Sequence, residues 1–233
     1  MRKQLILIMA VLYSGLAPIR TDAQEPDDRP GIGILPFDLT QLPPADLSES
    51  GLNFGLQQIL ISELGANSAL RVIERRAISE VMQELDLHGS GQVDAATAAD
   101  IGQIVGARYM IGGTYRNWFD KVEIHLRVFS VETTEIIATT VTEERALEEL
   151  GRLMREGAAA LTAGLDLPRL PRAVEEQRRS FEPPTEAIDL FSYAVARDEH
   201  REPEKALETL QLLVERWPEY GDAVALRDEI RGR

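Results

Sequence analysis

The chain has 233 residues, a formal charge of −14 and no cysteine. Such acidity argues against nucleic acid and anionic lipid headgroups as partners, because like charges repel. The missing thiol excludes disulfides, thiolate metal sites and a cysteine nucleophile, and leaves no lipobox residue to acylate, so a lipoprotein is not expected.

Residues 1–23 predict a secretory signal peptide: Arg2 and Lys3 are basic, Leu5 to Leu12 is apolar, and Thr21, Asp22 and Ala23 precede a cut before Gln24. The apolar run is shorter than the ~20 residues that span a bilayer as a helix. The expected product is exported, periplasmic and soluble. Residues 24–30 are polar and proline-punctuated, a flexible leader. Gly31 to Asp38 reads as a strand, ended by Leu42-Pro43-Pro44, with Asp46 or Ser48 placed to cap the next helix. Leu52, Leu56, Ile59, Leu60 and Leu64 give that helix one apolar stripe. Leu70 to Glu74 is the next strand and Arg75 to Leu87 a helix with Ile78, Val81, Met82 and Leu85 inward. After a loop at His88-Gly89-Ser90-Gly91, Asp94 is the expected N-cap of a small-residue helix that Gly106 ends.

Three strands follow as an antiparallel meander: Tyr109 to Tyr115, Val122 to Val128 and Ile136 to Val141. In the middle one Val122, Ile124, Leu126 and Val128 alternate with Glu123, His125 and Arg127, the period of a half-buried strand. About six residues, Arg116 to Lys121, join the first two, and the polar turn Glu132-Thr133-Thr134-Glu135 joins the last two. A helix from Ala146 to Leu165 completes the order β-α-β-α-α-β-β-β-α, which predicts an α/β (α+β mixed) fold: one mixed sheet with flanking helices over residues 31–167. Residues 168–184 read as a charged, proline-bracketed linker. Beyond it, 185–233 holds helices at Ala187–His200, Glu204–Trp217 and Asp222–Arg231, similar to one tetratricopeptide-type helical hairpin that must bury its apolar side on the domain or on a partner.

No catalytic, cofactor-binding or metal-binding constellation stands out. Gly31-Ile-Gly33 lacks the third glycine of a dinucleotide fingerprint and any Gly-Lys-Ser/Thr, and Gly89-Ser90-Gly91 is not a nucleophile elbow. His88, His125 and His200 lack metal-ligand spacing, and His125 is placed to share charge with Glu123. The carboxylates are spread along helices, so a hydrolase built on them ranks last. Trp118 and Phe119 sit at a hairpin tip, either folded back onto the sheet or the C-terminal helices, or serving as a contact point for a protein or a membrane surface. Tyr193 and Trp217 read as core.

Several of these pieces resemble, in order, the CsgG-like family, the curli production assembly/transport components: Gly33-Ile-Leu-Pro-Phe37, Arg71-Val-Ile-Glu-Arg75, Ala98 to Ala107, Tyr109-Met-Ile-Gly-Gly-Thr114 and Leu126 to Ile137. The TolB-N-like domain that precedes helical repeats in some bacterial proteins has a similar strand pattern. The resemblance implies an envelope protein whose α/β domain assembles into rings and, in curli secretion, supports an outer-membrane pore. The curli pore proteins carry a lipidated cysteine and a long membrane hairpin between the strands matching Tyr109–Tyr115 and Val122–Val128; here the cysteine is missing and the connection is short, whereas a membrane strand needs ~9–11 residues. The expectation is therefore a non-catalytic accessory or adaptor protein of the envelope, with protein partners that include further copies of itself, and no membrane span. An outer-membrane-associated secretion-channel subunit is the alternative.

Overall fold

A computed structural model describes residues 27–39, 51–87, 93–118 and 121–233. The signal peptide, the caps at Asp46 and Ser48, His88 with its loop, and Phe119 lie outside these residues. The elements are β1 (Gly31–Ile34), α1 (Leu52–Gly65), β2 (Arg71–Val72), α2 (Arg75–Glu84), α3 (Ala95–Val105), β3 (Tyr109–Trp118), β4 (Lys121–Ser130), β5 (Ile136–Val141), β6 (Arg145–Ala146), α4 (Leu150–Gly164), α5 (Arg172–Arg179), α6 (Thr185–Glu199), α7 (Pro203–Arg216) and α8 (Gly221–Gly232). The mixed α/β layout and the meander are as the sequence predicts. The sheet runs β2-β1-β3-β4-β5, parallel at β2-β1-β3 and antiparallel from β3 onward, with β6 pairing the start of β4.

Caps and turns follow local chemistry. The Asp94 carboxylate accepts from the Thr97 N–H at 2.8 Å, and Gly106 ends α3 in the left-handed region. Thr134 turns the β4–β5 connection with φ 59°. β1 ends at Ile34 rather than Asp38, β2 is Arg71–Val72 alone and α2 ends at Glu84, and two further boundaries differ around the meander. The β3–β4 ladder continues through Arg116↔Glu123 and Asn117↔Val122 to Trp118↔Lys121, so two residues join the strands instead of six. Polar Arg116 and Asn117 look like turn residues in sequence, yet their backbone groups remain in the ladder. The helix expected from Ala146 starts at Leu150, after β6 and a short 3₁₀ turn at Leu147–Glu149.

One sheet face carries Ile111, Tyr115, Val122, Ile124, Leu126 and Val128 into a core shared with α1, α4 and the C-terminal helices. The other face, at the end marked by Met110, Phe129 and Val131, packs Ile78 and Met82 of α2 and Ala98 and Ile101 of α3. The stretch 168–184 contains α5, whose Arg178 binds Glu63 of α1 at 2.9 Å and Asp222 of α8 at 3.2 Å. Its start at Pro171 and its Arg172–Glu176 and Glu175–Arg179 pairs give it a helical bias.

The C-terminal helices bury their apolar side against the domain, with α6 lying on α1. A Cβ on Gly55 would stand 2.7 Å from Ser192 Cα and nearer still to that side chain, and one on Gly51, at φ +70°, would meet Ala196. Small residues on both helices therefore set the separation. Beside this contact, Arg75 of α2 donates to Asp198 of α6 at 2.7 Å, with side chains 4% and 0% exposed, and it also bonds Glu199.

Gly55→Ala should destabilise the chain by about 1–3 kcal/mol in urea unfolding, because overpacking outweighs the gain of about 1 kcal/mol in helix propensity. Gly65→Ala, in the same helix with open space at its Cβ position, should be neutral or stabilising. Asp198→Ala should cost about 3 kcal/mol or more, since it leaves a buried guanidinium short of a partner.

Candidate functional site

The two faces of the sheet are covered unequally. Strands β3 and β4 are ten residues each, and the cluster built by α2 and α3 stops at Met110, Phe129 and Val131. Farther along the same face, side-chain alternation places Thr114, Arg116 and Trp118 on β3, Glu123, His125 and Arg127 on β4, and Thr139 and Val141 on β5. Here Trp118, Thr139 and Val141 are exposed, while Thr114, Arg116, Glu123, His125 and Arg127 are half-buried.

Its apolar groups are large. Trp118 is 42% exposed, Ile137 45% and Val141 49%. By alternation Trp118 lies on the face opposite the one that packs against the C-terminal helices, and the Arg116 guanidinium lies over its ring at 5.7 Å. Arg127 sits over Phe129 at the same distance of 5.7 Å, a contact that leaves cationic charge beside apolar surface. His125 and Glu123 meet at 2.6 Å, the pairing read from their spacing. Arg116 Nε is buried without a hydrogen-bond partner among the described residues. The combination of an exposed tryptophan, exposed aliphatics and stacked arginines is the chemistry of protein contact surfaces.

The open face ends at β5, the last strand of the sheet. Ile136 lies opposite Phe129, whereas Ile137 is an extra residue with no opposite partner, a β-bulge. Sequence reading placed Trp118 at the tip but missed β5 as part of the surface. The available signal was its uncharged, β-branched run between glutamates.

Other candidates are less well provided. His200 Nδ1 lies 2.7 Å from the Ala196 carbonyl, and its ring meets Phe54 edge-on. Among the described residues no three acidic or histidine side chains group as metal ligands. Trp217 packs partly against the main core, but Tyr193, expected there, is only half-buried and lies under the Arg197 guanidinium at 4.5 Å. A cleft of about 570 Å³ between α1, α4 and α5 is ringed by arginines. Four of them are already neutralised, in the pairs Arg152–Glu156, Arg155–Glu182, Arg178–Glu63 and Arg179–Glu175, which leaves little free charge for an anion.

Residues 22–118 match the family described as Curli production assembly/transport component CsgG. No curated protein sequence matches the chain. Among solved structures, the LpoB C-terminal domain from Salmonella enterica is 17% identical, with a TM-score of 0.41 over 51% of this chain and 83% of its own. LpoB from E. coli is 16% identical, with a TM-score of 0.41 over 51% of this chain and 58% of its own. TolB from Acinetobacter baumannii is 16% identical, with a TM-score of 0.37 over 60% of this chain and 28% of its own. Likeness at this level leaves function to be argued from the residues themselves. The family match runs from before β1 to the last residue of β3, and over those residues, 22–118, the chain is CsgG-like.

Proposed function

We propose that this chain is a non-catalytic accessory protein of the cell envelope, exported behind a signal peptide, which holds protein partners on the open sheet face around Trp118 and Phe119. In this reading residues 31–167 form the CsgG-like unit, and 185–233 are a tetratricopeptide-like helical unit joined to it through 168–184. The observation that carries the proposal is the half-exposed Trp118 with Arg116 stacked on it, beside an exposed aliphatic strand, on a sheet whose other face packs against helices. The CsgG match supports the envelope setting. The secretion-channel alternative needs chain with which to cross lipid. The two residues between β3 and β4 are far fewer than the ~9–11 that one membrane strand requires.

Trp118→Ala should unfold within about 0.5 kcal/mol of the wild type, as an exposed residue does. It should also lose most of the products that the wild-type chain gives when crosslinked in an envelope fraction and resolved by mass spectrometry. Identical products from both proteins would remove this face as the contact surface. Resistance of the chain to carbonate extraction from membranes would favour the channel reading.

A further inference from the structure

The outer edge of β5 is unpaired among the described residues. Thr142 donates its N–H to the Ile124 carbonyl at 3.0 Å, and in an antiparallel ladder alternate residues turn their N–H and C=O to opposite sides. Thr140 and Thr142 therefore face β4, while the backbone groups of Thr139 and Val141 point away from the sheet. Among the described residues no strand pairs with that side. Exposed edges are ordinarily blunted by lysine, proline or inward charge. Between Ile136 and Val141 there is none of these, only the bulge at Ile137.

Charge says what belongs there. Exposed Glu132 and Glu135 precede the strand, and exposed Glu143 and Glu144 follow it. Glu143 leans on Arg145 at 3.3 Å and Glu144 on Lys121 at 3.7 Å, but no ion pair among the described residues engages Glu132 or Glu135. In the register centred on Thr139 a second copy is disfavoured: antiparallel self-pairing there sets Glu135 opposite Glu143 at both ends, and like charges directly opposite destabilise a pair. We propose that β5 accepts an extended segment of a different protein, with an uncharged β-branched centre and lysine or arginine at its ends, added as a further strand of the sheet. The segment's side chains would then continue the open face past Val141. This inference rests on the partner-binding reading above and specifies the partner's chemistry.

The test uses the purified chain and three labelled synthetic peptides followed by fluorescence anisotropy. One has two lysines at each end of Val-Thr-Ile-Thr-Val, one has glutamates in their place, and one is the lysine peptide N-methylated at alternate residues to remove its outward donors. The lysine peptide should bind with an affinity that weakens as salt rises. The glutamate and N-methylated peptides should bind at least tenfold more weakly. Thr139→Pro, which removes an outward donor, should abolish binding. Val141→Lys, an exposed change that leaves the backbone alone, should weaken it at least tenfold should the proline variant fail to fold. Equal binding of the lysine and N-methylated peptides, or no binding at all, overturns strand addition. A dimer of the chain alone that Val141→Lys dissociates overturns it in favour of self-pairing. Loss of crosslinked partners in Trp118→Ala, but not in Val141→Lys, would overturn the strand proposal while leaving the partner-binding face intact.

Discussion

Where α1 crosses α6, the backbones approach so closely that Gly55 has no room for a Cβ against Ser192. The Arg75–Asp198 bridge seals the margin of that contact, and Arg178 ties α5 to both α1 and α8. A buried ion pair contributes little net stability compared with apolar packing, but breaking one side of it is costly. Its effect here is to fix one arrangement of the helices. Helices α6 to α8 are thereby committed to the main core, where Phe191, Leu210, Leu213 and Leu226 are fully or almost fully buried. Their apolar side is occupied by the protein itself.

That commitment decides which surfaces remain for a partner. The sheet face that holds Tyr115 and Leu126 is closed by α1, α4 and the docked helices, whereas α2 and α3 cover only one end of the other face. The strands run on beyond this cover. Their exposed part combines a tryptophan, aliphatic side chains and two arginines held over aromatic rings, within a chain of charge −14. Cations stacked on aromatics at such a place give a partner both apolar area and a local departure from the acidic background.

Much of this was legible in the sequence because it depends on local chemistry. The alternation from Val122 to Val128 gave both the strand and its buried side, and Asp94 and Gly106 marked the two ends of α3. The length of the β3–β4 hairpin was misjudged because Arg116 and Asn117 have side chains typical of turns while their backbone stays paired. Helix α5 was hidden by prolines that bracket it without interrupting it. The docking of α6 could not be read at all. A glycine and a serine 137 positions apart have no local signature, and only their meeting in space gives Gly55 its role. The exposed face was half legible: Trp118 stood out by its position, whereas β5 resembled any other apolar strand until its place at the edge was known.

Residue-resolved amide hydrogen exchange on the isolated chain tests most directly whether this edge is open. With nothing on β5, the N–H groups of Thr139 and Val141 exchange quickly while those of Thr140 and Thr142, bonded into the sheet, are protected, an alternation along four consecutive residues. Uniform protection across Thr139 to Thr142 would mean that another strand already occupies the edge, and would contradict an edge of β5 left free for a partner.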